Sequence, residues 1–65
     1  MDVLAKRLKT LRSEHGMTQD ALAKRLHIAR TTLAHYETGA REPRLKTLVD
    51  ISDVFDVSID YLLKE

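Results

Sequence analysis

Four side chains at helical spacing carry the chemistry this chain can offer. Arg30, Thr31, Ala34 and His35 fall at i, i+1, i+4 and i+5, on one side of a helix. A guanidinium presents a planar fork of N–H donors, a threonine a hydroxyl and a methyl, an imidazole a donor or an acceptor. Such a face recognises a partner; it neither makes nor breaks bonds. Ser13 and His15, with carboxylates nearby, form no triad, because adjacent helical positions do not hold a base and its orienting group in place. No nucleophile, base and oxyanion donor come together elsewhere. His15, His27 and His35 are scattered and there is no cysteine, so no metal and no cofactor is expected. The sequence therefore predicts no enzyme and no small-molecule substrate.

The elements that hold this face can be read from apolar spacing. Leu4, Leu8 and Leu11 mark a first helix from about Val3 to His15, closed by Gly16. Thr18 is the expected N-cap of a second helix, with Asp20 in its first turn and Leu22, Ala23 and Leu26 inward. It stops by His27. Ile28 is the next inward residue, and Leu33 and Tyr36 mark a third helix from about Arg30 to Glu37 or Thr38, ended by Gly39. Pro43 suits the start of a fourth helix, for which Leu45, Leu48, Ile51, Ser52 and Phe55 form the expected buried stripe. Asp56 and Val57 connect it to a short fifth helix, capped by Ser58, with Leu62 and Leu63 inward. Strand alternation is absent, so the class is all-α with five short helices.

Size and charge narrow the partner. A chain of 65 residues is one domain or less, and without cysteine its stability must come from helix packing or from a partner. A chain this short rarely encloses a substrate. No apolar run reaches the roughly 18 residues of a membrane span, and the first residues have no signal-peptide core. A cytoplasmic protein is expected, with no membrane partner. The net charge is +1. Residues 1–49 hold ten basic and five acidic side chains, a balance of +5; residues 50–65 hold one and five, a balance of −4. A basic body with an acidic end fits an anionic polymer. Lys6, Arg7 and Lys9 read as a solvated face, Tyr36 as core.

The second and third helices are each about eight residues and only about three residues join them. Helices so short and so tightly joined cross at a large angle, which is helix-turn-helix geometry. With Leu33 and Tyr36 inward, Arg30, Thr31, Ala34 and His35 face outward, and no acidic residue precedes Glu37. Such a face can enter a major groove, Arg30 bidentate to guanine, Thr31 by hydroxyl or methyl, His35 at a base edge. Thr18 and Gln19 place free N–H groups and a side-chain amide where a phosphate can bind.

From about Val3 to Leu63 the chain resembles the Cro/repressor-type (XRE) helix-turn-helix domains. The matching words are Leu11-Arg12, Gly16-Met17-Thr18-Gln19, Leu22-Ala23, Leu26, Ile28, Thr32-Leu33, Tyr36-Glu37-Thr38-Gly39, Pro43 and Val57-Ser58-Ile59-Asp60-Tyr61-Leu62-Leu63. The resemblance implies a lambda-repressor-like fold and a single DNA-binding domain over residues 1–65. It implies a transcriptional regulator, a repressor, bound to a palindromic double-stranded DNA operator as a homodimer, at least on DNA. The recognition helix, about Arg30 to Thr38, would lie in the major groove, with half-sites about 34 Å apart. By the same resemblance Arg30, Thr31 and His35 read bases and Gln19 clamps phosphate. Thr38 and Arg41 meet the backbone, and Arg44 meets the backbone or a minor groove. Arg12 and Glu37 form an ion pair between the first and third helices. Ile59, Tyr61 and Leu63 offer apolar surface for the dimer.

The chain departs from that family at His27 and Asp56, where glycine is usual, at Ala29, where Ser or Thr caps, and at Arg44, which makes the fourth helix's cap unclear. Ala29 leaves the third helix without a side-chain acceptor, a place a DNA phosphate or water can fill. A protein-interaction module on the same scaffold, such as the antitoxin of a toxin–antitoxin pair, is the alternative.

Overall fold

Local signals decide where each helix begins and ends. A computed structural model of the chain describes residues 2–65. It contains α1 (Asp2–Glu14), α2 (Gln19–Leu26), α3 (Arg30–Thr38), α4 (Leu45–Phe55) and α5 (Ile59–Leu63), with no strand among the described residues. The Thr18 hydroxyl accepts from the Ala21 N–H at 3.0 Å and the Ser58 hydroxyl from the Tyr61 N–H at 2.9 Å, so both expected caps form. Ala29 and Arg44 occupy the N-caps of α3 and α4 with extended backbone and no side-chain bond.

Two helices end on a left-handed residue that is not glycine. His27 has φ 57° and Asp56 φ 53°. At each end the next residue folds back onto the helix: Ile28 N–H to the Ala23 carbonyl and Val57 N–H to the Ser52 carbonyl, both at 3.0 Å. Ile28 and Val57 then pack against the core. The apolar follower and the two carbonyls satisfied offset the cost of a side chain at positive φ.

α1 runs behind α3, α2 packs on α3 and α4, and α5 closes against α1 and α4. Leu4, Leu8, Leu22, Leu33, Ile51 and Leu62 are fully buried where these helices meet. The core extends through Leu11, Ala23, Leu26, Tyr36, Leu48 and Phe55. The His15 imidazole donates through Nδ1 to the Leu11 carbonyl at 2.8 Å and meets the Phe55 ring edge-on at 4.9 Å, tying the end of α1 to α4.

Three expectations for the fourth helix are corrected. Leu45 is 70 % exposed, not buried. It is the first residue of α4, one turn ahead of the first buried residue of that helix, Leu48; Pro43, before the N-cap, is buried. Pro43 therefore lies one residue before the N-cap rather than at the helix start. Ser52 is only half-buried, its hydroxyl donating to the Val49 carbonyl at 2.8 Å. In α5, Leu63 is half-buried and packs against the core as expected, beside the fully buried Leu62.

Candidate nucleic-acid interface

Burial of two residues fixes the rotation of α3. Leu33 is fully buried and Tyr36 nearly so, which turns Arg30, Thr31 and His35 to solvent and leaves Ala34 half-buried among them. The small Ala34 makes this a shallow face, open to the approach of a flat partner. α3 has no acidic residue in its first turn, and its single carboxylate, Glu37, points inward with a side chain 3 % exposed. The outward face therefore carries no carboxylate.

Glu37 is the hub of a polar network that ties α3 to its neighbours. Arg12 Nε donates to Glu37 Oε2 at 2.7 Å and Arg12 Nη2 to Oε1 at 3.1 Å, a two-pronged pair. Arg12 Nη1 donates to the Met17 carbonyl at 2.8 Å. The Gln19 Nε2 donates to Glu37 Oε1 at 3.1 Å, and Arg30 Nη1 donates to Gln19 Oε1 at 3.4 Å. One chain of bonds thus runs from α1 through α3 and the start of α2 to the first residue of the exposed face. The pair expected between Arg12 and Glu37 is present. What the sequence did not reveal is that the Gln19 amide completes the network, and that the Met17 carbonyl anchors Arg12. Both depend on chain segments brought together only by the fold.

The other candidates surround this face. Thr18 is exposed at the N-terminus of α2, where the first N–H groups have no partner within the helix. Thr38 is exposed, but its hydroxyl is engaged in its own turn, donating to the His35 carbonyl at 3.2 Å and accepting from the Ala40 N–H at 3.4 Å. Arg41 follows, its N–H bonded to the His35 carbonyl at 3.3 Å and its side chain exposed. Arg44 is exposed at the cap of α4. Among the described residues no group of three or more His, Asp or Glu side chains could hold a metal ion, and no helix is long and apolar enough to cross a membrane.

A family model described as helix-turn-helix matches residues 8–62. The chain belongs to this helix-turn-helix family. It is 45 % identical over 62 residues to the uncharacterized HTH-type transcriptional regulator YqaE of Bacillus subtilis, covering 95 % of this chain and 53 % of that protein. It spans about half the length of the curated relatives it matches. Its fold is similar to the P22 c2 repressor solved with a synthetic operator (TM-score 0.89, 28 % identity, 94 % of this chain and 92 % of that one). It is equally similar to the N-terminal DNA-binding domain of SinR from Bacillus subtilis (TM-score 0.89, 30 % identity, 100 % and 96 %). The α2–turn–α3 unit is the helix-turn-helix, with α3 in the place of its second helix.

Proposed function

We propose that this helix-turn-helix chain is a sequence-specific binder of double-stranded DNA, acting in the cytoplasm as a transcriptional repressor, with residues 1–65 as a single DNA-binding domain. The carrying observation is the outward face of α3: Arg30, Thr31, Ala34 and His35 exposed or half-exposed together, with the sole carboxylate of the helix turned inward. A helix with such a face fits the major groove of B-form DNA and meets no like charge there. Arg30 is assigned a bidentate contact to guanine, Thr31 and Ala34 contacts to a thymine methyl or base edge, and His35 a hydrogen bond to a base edge. The N–H groups at the start of α2, beside Thr18 and Gln19, take a phosphate, and Thr38, Arg41 and Arg44 meet the backbone. Arg12 and Glu37 hold the angle between α1 and α3 rather than touch DNA. Relatives named as transcriptional regulators, and a similar fold solved on a synthetic operator, support this reading over a protein-binding module. A homodimer on a palindromic operator follows, with bonds neither made nor broken.

Selection from a pool of random-sequence duplexes tests the reading. A recurring two-fold symmetric motif is expected, bound with an affinity that falls steeply with salt as neutralised phosphates release counterions. A flat selection profile, with equal retention of all sequences, would count against it.

A further inference from the structure

The cleft between α1 and α5 gathers charges and a ring that DNA binding leaves unused. Val3, Lys6, Arg7 and Thr10 repeat at i, i+3, i+4 and i+7 and form one stripe of α1. With Tyr61 and Glu65 they line a cleft of about 260 Å³. Arg12, which holds Glu37 of α3, projects from the far side of α1. The cleft therefore lies away from the outward face of α3.

Arg7 has more donors here than acceptors. Its guanidinium lies over the Tyr61 ring at 4.2 Å, and its Nη2 donates to the Lys64 carbonyl at 3.1 Å. Its Nε is shut away from solvent with no acceptor, which folded proteins rarely leave standing. Among the described residues no carboxylate pairs with Arg7 or with the exposed Lys6; the cations paired with carboxylates are Arg12, Lys24, Lys46 and Lys64. Glu65 is the one acidic side chain on the cleft wall, so the lining carries two positive charges against one negative.

Size and chemistry select the ligand. The volume lies just below the roughly 300–1,000 Å³ of pockets that hold drug-sized molecules, which suits a small molecule. Val3 and Tyr61 offer apolar contact, and Thr10 offers a hydroxyl. The two cations call for a carboxylate, which a guanidinium fork takes with two bonds. We propose that the cleft binds a small organic acid, a carboxylate on an apolar ring or short chain, while α3 stays open to DNA. The carboxylate lies between Lys6 and Arg7, and the 44 % exposed Tyr61 ring swings aside to let it reach Nε. The site does not rest on the DNA reading, and its test uses no DNA.

Phenylacetate is titrated into the isotope-labelled chain, followed by backbone amide and Tyr61 ring resonances. Shifts should saturate with a dissociation constant of about 1 mM or tighter, in keeping with a probe of so few atoms. They should centre on Val3 to Thr10 and Tyr61 to Glu65, leaving Arg30 to His35 unmoved. Phenylacetamide, which lacks the charge, should bind about tenfold more weakly. Lys6→Met should weaken phenylacetate about threefold and Glu65→Gln should tighten it about threefold, both at an unchanged melting temperature. Arg7→Met should abolish saturable binding; since that variant also frees the end of α5, the exposed Lys6 and Glu65 decide the matter. Shifts that never saturate, equal binding of acid and amide, or an affinity that neither Lys6→Met nor Glu65→Gln moves overturns the site. A peptide arm, acetyl-Leu-Glu-Leu amide, separates a free acid from the acidic side chain of a protein: tighter binding of the peptide than of phenylacetate at the same residues overturns the small-acid assignment.

Discussion

Replacing Arg12 with methionine should come close to unfolding the domain, because the side chain is one half of a largely buried ion pair. Arg12 provides two of the three hydrogen bonds that reach Glu37, and Gln19 provides the third. The Glu37 side chain is 3 % exposed and that of Arg12 14 %. Arg12→Met leaves a carboxylate shut away from water with one amide donor, and strips a donor from the Met17 carbonyl. Removing one partner of a buried pair costs about 3–5 kcal/mol. A domain of this length has a total stability of roughly 3–10 kcal/mol. Glu37→Gln should cost less, about 1–3 kcal/mol, because the stranded group is then Arg12, which still reaches solvent. Joining Arg12→Met to Glu37→Leu removes the buried charge altogether and should recover much of the loss. Urea unfolding followed by circular dichroism measures all three. With a slope near 1 kcal/mol per molar urea, the midpoint of Arg12→Met should fall by about 3 M or vanish. A loss below about 1 kcal/mol would place the pair among ordinary surface ion pairs. A double variant that simply adds the two single losses would show that the cost is not that of a stranded charge.

Further outcomes follow from the caps and the loop. His27→Gly removes a side chain from φ 57°, and the melting temperature should rise by a few degrees, corresponding to at most about 1 kcal/mol after glycine's own entropic cost; a fall would show that His27 is not strained. Ala29→Ser places a hydroxyl where the backbone, at φ −70° and ψ 147°, already has cap geometry, and should stabilise the free protein by about 1 kcal/mol in thermal melts. If DNA phosphate serves that helix end in the complex, the same variant should bind DNA less tightly, and an unchanged affinity would refute the phosphate's role. Arg41→Ala should weaken all duplexes alike and lower the steepness of the salt dependence by about 0.9, as one lost phosphate contact requires; an altered base preference would refute its assignment.

Leucine spacing located four of the five helices, because each buries a stripe that repeats with the helical period. Thr18 and Ser58 marked two starts, and both hydroxyls bond as their positions in sequence imply. The rotation of α3 was legible from Leu33 and Tyr36 alone. Leu45 was misleading because periodicity does not show where a core ends: the position is in phase with the buried Leu48, yet it is 70 % exposed at the first residue of the helix. Gln19 was legible as a polar residue near a helix start, but its bond to Glu37 joins residues 18 apart in sequence and arises only when α2 crosses α3. Exposure of Val49 was equally hidden, since the residue is apolar and lies on a helix whose opposite face is buried.

Chemical reactivity of guanine N7 atoms tests the placement of α3 most directly, because N7 lies on the floor of the major groove. On the selected duplex the unaltered chain should shield at least one guanine N7 in each half-site, and Arg30→Ala should unshield that guanine while binding weakens by about 1–3 kcal/mol. Shielding confined to minor-groove atoms, or a pattern unchanged by Arg30→Ala, would contradict the account.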